Sequence, residues 1–147
     1  MKTTLTLMAA VIALSLSTGV VLSADNPDKE QLDKRIHQVN DTVKKRNLTS
    51  TALKHISVET GVPQAQVEAM HKGHPDTGPA GLLTACVLAD ETKKAPETFV
   101  KQHNSGKSWA SMARENQVPL DKLSARLVRL EATFSNVNEP VEKKAKK

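Results

Sequence analysis

One stretch of this chain brings ligand-type side chains close together, His71-Lys72-Gly73-His74-Pro75-Asp76. Two imidazoles and a carboxylate are donors that suit a divalent metal, which makes His71, His74 and Asp76 the metal candidates. Gly73 and Pro75 interrupt the helix that would set both imidazoles on one face, and no second Cys or His cluster completes a coordination shell. The expectation is a solvated loop, with no metal and no other cofactor. Cys86 is the single cysteine, so it has no internal disulfide partner. A nucleophilic or redox role would require a nearby base and electropositive surroundings. Instead it sits in the apolar run LLTACVLA, where a thiol is expected to fill core. Trp109 is the single tryptophan and a candidate platform for stacking sugars. No nucleophile, base and orienting group fall together in a recognisable order, so the chain reads as non-catalytic.

The elements that position these residues are helical. No stretch sustains period-two alternation with β-branched enrichment, and the fold class expected is all-α without a sheet. Asn26-Pro27 supplies a cap and an N1 proline for a helix whose apolar stripe is Leu32, Ile36, Val39 and Val43 and whose end lies near Asn47. Trp109, Met112 and Ala113 share one face of a short helix capped by Ser105 or Ser108. Val118 precedes Pro119, which pushes it out of the α region and ends that helix. Leu120, Leu123, Leu127, Leu130 and Phe134 then make a strong amphipathic stripe, able to pack on the stripe of the first helix.

This helix-turn-helix unit recurs. A shift of 56 positions puts Leu53 on Trp109, Ile56 on Met112, Glu59 on Glu115, Gly61 on Gln117, Val62-Pro63 on Val118-Pro119 and Val67 on Leu123. Thr49 falls on Ser105 as the matching cap. A third copy, with one extra turn residue, aligns Leu88-Ala89-Asp90-Glu91-Thr92 with Met112-Ala113-Arg114-Glu115-Asn116, and Ala95-Pro96 with Val118-Pro119. The repeats span about 49–72, 82–103 and 105–130. A position that accepts Leu53 or Trp109 reads as core. Glu59, Glu91 and Glu115, recurring at equal places, read as structural carboxylates that satisfy turn N–H groups. Between the first two repeats, Gly73 to Pro79 is the clearest loop. A longer helix from about Pro79 to Lys94 turns Leu82, Leu83, Ala85, Cys86 and Ala89 inward, and a short helix carries Phe99 and Val100.

Two flanks differ from this body. Residues 1–24 have a short positive start at Lys2, an apolar run from Leu5 to Leu22 and small residues at Ser23-Ala24, the layout of a cleaved signal peptide. Residues 25–134 are expected to form a single helical domain. Residues 135–147, SNVNEPVEKKAKK, have no apolar period and read as a disordered basic tail.

Gly106-Lys107-Ser108-Trp109, Met112-Ala113, Val118-Pro119 and Leu123 resemble the middle of a LysM module, with Lys107 where that family has Asp. LysM is a strand-helix-helix-strand unit, and the resemblance implies binding of peptidoglycan or chitin. The wider stretch from Gly81 to Leu123 is similar to small exported bacterial proteins of unknown function with a GKSW-type turn before a helix. That likeness implies bacterial export and a helical repeat, and it implies no activity.

Charge bounds the partner class. The formal net charge is +5, carried in part by Lys44-Lys45-Arg46, Lys93-Lys94 and a tail containing Lys143, Lys144, Lys146 and Lys147. Such clusters meet polyanions. Export removes the chain from the genome, and Arg114, Lys122, Arg126 and Arg129 lie near Glu115, Asp121 and Glu131, so no nucleic acid is expected unless the leader stays uncleaved. The reading is an exported, periplasmic or secreted protein of the bacterial envelope that binds or scaffolds. Its expected partner is an unidentified protein or envelope component, with electrostatic contact to an anionic surface through the tail lysines. A LysM-like glycan binder is the alternative. With one Trp, two Phe and no Tyr, the chain has few rings to stack on sugars, and Trp109 is its candidate.

Overall fold

The computed structural model describes residues 27–137. The signal peptide expected at 1–24 and the tail lysines from Lys143 to Lys147 fall outside the described residues. Those residues form α1 (Pro27–Lys45), α2 (Thr49–Thr60), α3 (Gln64–Gly73), α4 (Gly78–Thr92), α5 (Pro96–Asn104), α6 (Trp109–Glu115) and α7 (Leu120–Ser135), with a 3₁₀ turn at Pro75–Thr77. There is no strand among the described residues, and the fold is all-α.

The middle of the chain is the middle of the molecule. Helix α4 packs against each of the other six helices, and its residues from Gly78 to Ala89 are all buried. The sequence reading gave this helix one inward face. Its segment GPAGLLTACVLA in fact lacks any charged residue, and a helix without a polar face is buried on all sides. Its one buried hydroxyl in that run after Thr77, Thr84, donates back to the Ala80 carbonyl at 2.9 Å. With no disulfide, this core supplies the stability, each fully buried Leu, Ile or Phe contributing about 1.5–3 kcal/mol.

The expected stripes of the first and last helices do meet. Leu32, Ile36, Val39 and Val43 of α1 and Leu123, Leu127, Leu130 and Phe134 of α7 are all buried, and the helices pack on each other and on α4. Leu32 and Leu120 line one groove near the helix starts. Near the ends, the Arg46 guanidinium donates to the Phe134 carbonyl at 2.9 Å. Helices α1 and α7 therefore run in the same direction.

All three repeat corners share one device. At each, a polar side chain at the end of the first helix donates back one turn: Thr60 to the Ile56 carbonyl, Thr92 to Leu88 and Asn116, the residue just after α6, to Met112, each at 2.7 Å. The next residue then turns left-handed, at Gly61 (φ 71°), Lys93 (φ 57°) and Gln117 (φ 58°). Two details of the sequence reading are corrected. Ser108, not Ser105, caps α6, its oxygen accepting from the Ser111 N–H at 3.2 Å. Thr49 is the first residue of α2 and Leu48 precedes it without a side-chain cap, so the caps do not repeat. The long loop expected from Gly73 to Pro79 is also largely taken up, because α3 continues through Gly73 and Pro75 starts the 3₁₀ turn leading directly into α4.

Candidate functional site

An open groove of about 910 Å³ lies between α1 and α7, with Arg114 of α6 at its edge. The period of α1 sends Leu32 and Ile36 into the core and leaves Gln31, Lys34, Arg35 and Gln38 on the groove wall. Arg114 reaches it from α6 and Ser124 from α7, over a floor of Leu32 and Leu120. Its two carboxylates are engaged: Glu131 pairs with Arg35 at 2.6 Å, and Asp121 accepts the Lys122 N–H at 3.0 Å. Lys34 and Arg114 are exposed and make no ion pair among the described residues. The wall thus offers cations and uncharged hydrogen-bonding groups, which suit a polar or anionic ligand rather than an apolar one.

The metal candidates do not converge. His71 and Asp76 line a second cleft, of about 500 Å³, together with His37 and Asp41 of α1. His74 does not line that cleft and its Nδ1 instead sits 3.3 Å from the Asn104 amide nitrogen. Among the described residues no three His, Cys, Asp or Glu side chains gather closely enough to hold an ion. The cleft is built around Asn40, whose Nδ2 donates to the Thr77 carbonyl at 3.1 Å while its Oδ1 accepts the Ala80 N–H at 2.8 Å. Asn40 thereby holds the start of α4 from α1, a long-range role that no local pattern signals.

Trp109 is 1% exposed and cannot offer a ring face to a sugar. Its ring stacks on His103 at 4.4 Å and lies over Gly81, where a Cβ would come 3.2 Å from the indole. Its backbone N–H donates to Asp33 of α1 at 3.0 Å. The unit from Gly106 to Leu123 is flanked by α5 and α7, without the strands that bracket a LysM module. Cys86 is 1% exposed. Burial, with a smaller push from the Glu97 charge and against a Thr60 hydrogen bond, raises its thiol to about 12, which favours the neutral form.

The repeat carboxylates bind cations, not turn N–H groups. Glu59 takes Arg126 and Arg129 of α7, the latter at 2.7 Å; Glu91 takes Lys122 at 2.6 Å; Glu115 takes Lys107. Burial alone would raise the Glu59 carboxyl, but the hydrogen bonds and charges of Arg126 and Arg129 more than reverse this and hold it below its ordinary value. The groove itself is what residue-by-residue reading missed. Its signal was present in the polar face of α1, but which neighbour that face would border is set by the path of α7.

No protein-family model matches the chain, and no curated protein or solved structure is significantly similar to it.

Proposed function

We propose that this protein is a non-catalytic, exported module of the bacterial envelope, and that it works by binding through the α1–α7 groove. The observation that carries this reading is the contrast between the groove and the reactive groups. The groove is open and keeps Lys34 and Arg114 unpaired among the described residues. The thiol and the indole are buried, and the repeat carboxylates are bound to cations. Export rests on the layout of residues 1–24, and the binding reading on the groove.

The test is co-sedimentation of the protein, purified from its producing cells, with cell-wall sacculi and with envelope extracts immobilised on beads. The comparison variant is Lys34→Gln/Arg114→Gln, whose exposed substitutions leave the core untouched. A captured component that is lost with this variant supports the reading. Capture that is indifferent to it, or a protein found in the cytosol with its leader intact, sinks it.

A further inference from the structure

The groove between α1 and α7 sorts its charges by wall. The α1 wall presents Gln31, Lys34, Arg35 and Gln38, at positions i, i+3, i+4 and i+7, so two cations and two amides share one helical stripe. Arg114 adds a third cation from α6, and both lining carboxylates, Asp121 and Glu131, lie on α7. The cations that α7 itself carries are bound elsewhere, Lys122 to Glu91 and Arg126 and Arg129 to Glu59. The open positive charge of the groove therefore comes from α1 and α6. Lys34 and Arg114 are exposed and have no ion-pair partner among the described residues. Arg35 is held differently. Its Nη2 donates to Glu131 at 2.6 Å, a bond from α1 to α7 that fixes the guanidinium. Its other N–H groups have no partner among the described residues.

We infer that the groove takes a short acidic peptide in extended form, its carboxylates on Lys34, Arg35 and Arg114 and its backbone amides on Gln31, Gln38 and Ser124. A guanidinium holds a carboxylate through charge-assisted N–H bonds, and a glutamine amide or a serine hydroxyl both donates to and accepts from a peptide group. From Gln31 to Gln38 the stripe is about 10 Å long at the helical rise, room for about three residues of extended chain. A peptide is favoured over a glycan because no aromatic ring lines the groove among the described residues. It is favoured over a nucleic acid because Asp121 and Glu131 stand on the α7 wall, where a strand with a phosphate at every nucleotide would meet them. A peptide sets its few carboxylates on the cations and neutral residues beside those acids. The inference rests on the groove being the binding surface, as proposed above. Capture of an envelope component that still depends on Lys34 and Arg114, without any response to acidic peptide, would remove the ligand class and leave that reading standing.

The experiment titrates the purified protein, by calorimetry at fixed ionic strength, with the capped peptide acetyl-Glu-Ala-Glu-amide and with its neutral counterpart acetyl-Gln-Ala-Gln-amide. Chitotriose and a short oligothymidylate are titrated as the competing classes. Three variants are compared: the groove pair Lys34→Gln/Arg114→Gln; Arg35→Gln; and Lys44→Gln/Lys45→Gln, which removes two exposed charges outside the groove. The expected result is saturable binding of the acidic peptide, about tenfold or more tighter than that of the neutral one. It should weaken about fivefold or more in the groove pair and in Arg35→Gln, and less than about twofold in the Lys44 and Lys45 variant. Matching far-UV circular dichroism and Tm establishes that the variants fold; if Arg35→Gln does not, the exposed groove pair decides the matter. Absence of saturable binding, or equal affinity for the neutral peptide, would overturn the inference. Equal loss in the Lys44 and Lys45 variant would reduce the effect to net charge and overturn it too. Tighter binding of chitotriose or of the oligothymidylate, with the same dependence on Lys34 and Arg114, would overturn it in favour of a glycan or a nucleic acid.

Discussion

The α2–α3 corner and the α6–α7 corner are built on one plan and made firm by different means. Both place a side-chain bond to the preceding turn, a left-handed residue, a valine and a proline in the same order. At the first corner the left-handed residue is Gly61, whose N–H closes on the Ser57 carbonyl at 2.9 Å, and the outward Glu59 is gripped by two arginines of α7. At the second it is Gln117, and the following Val118 N–H closes on the Ala113 carbonyl at 2.8 Å, the longer loop of a Schellman motif. There Glu115 pairs only with Lys107 on the surface, and the corner is seated by Trp109 under α4. One repeat is tied by charge and the other by an indole. The common plan sets the turn, and the context of each copy sets how it is anchored.

Breaking the two anchors should show the difference, beginning with the indole. Trp109→Ala removes the larger buried ring, and unfolding by denaturant should show a loss of about 3–5 kcal/mol. The counterpart Leu53→Ala should fall within about 2–5 kcal/mol and below the tryptophan variant. An equal or smaller cost at Trp109 would mean that the site collapses around the lost ring. Next come the carboxylates. Glu59→Gln leaves Arg126 and Arg129 without their shared charge partner and should cost about 1–3 kcal/mol, whereas the exposed Glu115→Gln should stay within about 0.5 kcal/mol.

The backbone difference is sharpened by exchanging residue types. Gly61→Ala puts a Cβ on a left-handed residue and should lower stability by about 1 kcal/mol, while Gln117→Gly should raise it by up to about 1 kcal/mol. Opposite signs in thermal melts are the expected outcome.

The charge-tied corner should also carry most of the acid sensitivity. Burial holds the His55 imidazole below its ordinary 6.5, with the Glu59 charge opposing and Arg129 adding to the depression. Its Nε2 is buried without a hydrogen-bond partner. As pH falls past 6.5 the unfolded chain takes up a proton that the folded chain resists, so stability declines there. Glu59, with its folded value depressed from 4.5, contributes above 4.5 and loses that contribution as pH falls through the folded value. A His55→Gln variant should flatten the upper part of the stability profile and Glu59→Gln the lower. Smallest of all should be the reaction of Cys86 with a thiol reagent, negligible in native protein and complete in denaturant.

Much of this architecture was legible before any coordinates. The spacing of Leu32, Ile36, Val39 and Val43 and of Leu120 to Phe134 marks two amphipathic helices, because a period near 3.6 leaves the chain one way to bury its apolar side. Val-Pro at both corners and Gly61 mark where helices must stop, because proline restricts the residue before it and glycine tolerates a positive φ. The signal at Gln117 was weaker, since only its register with Gly61 pointed to a left-handed residue there. Tertiary structure alone decided that α4 is the centre, that Asn40 caps it from 40 residues away, and that Glu59 meets Arg126 and Arg129 across about 70. It also decided which cations of α7 are paired, and that Arg46 fastens the end of α7 to the end of α1. Local pattern constrains which face of a helix turns inward, because that choice is made within a few residues by hydrophobic burial. Which helix then receives that face, and which charges finish near one another, depends on packing over the whole chain.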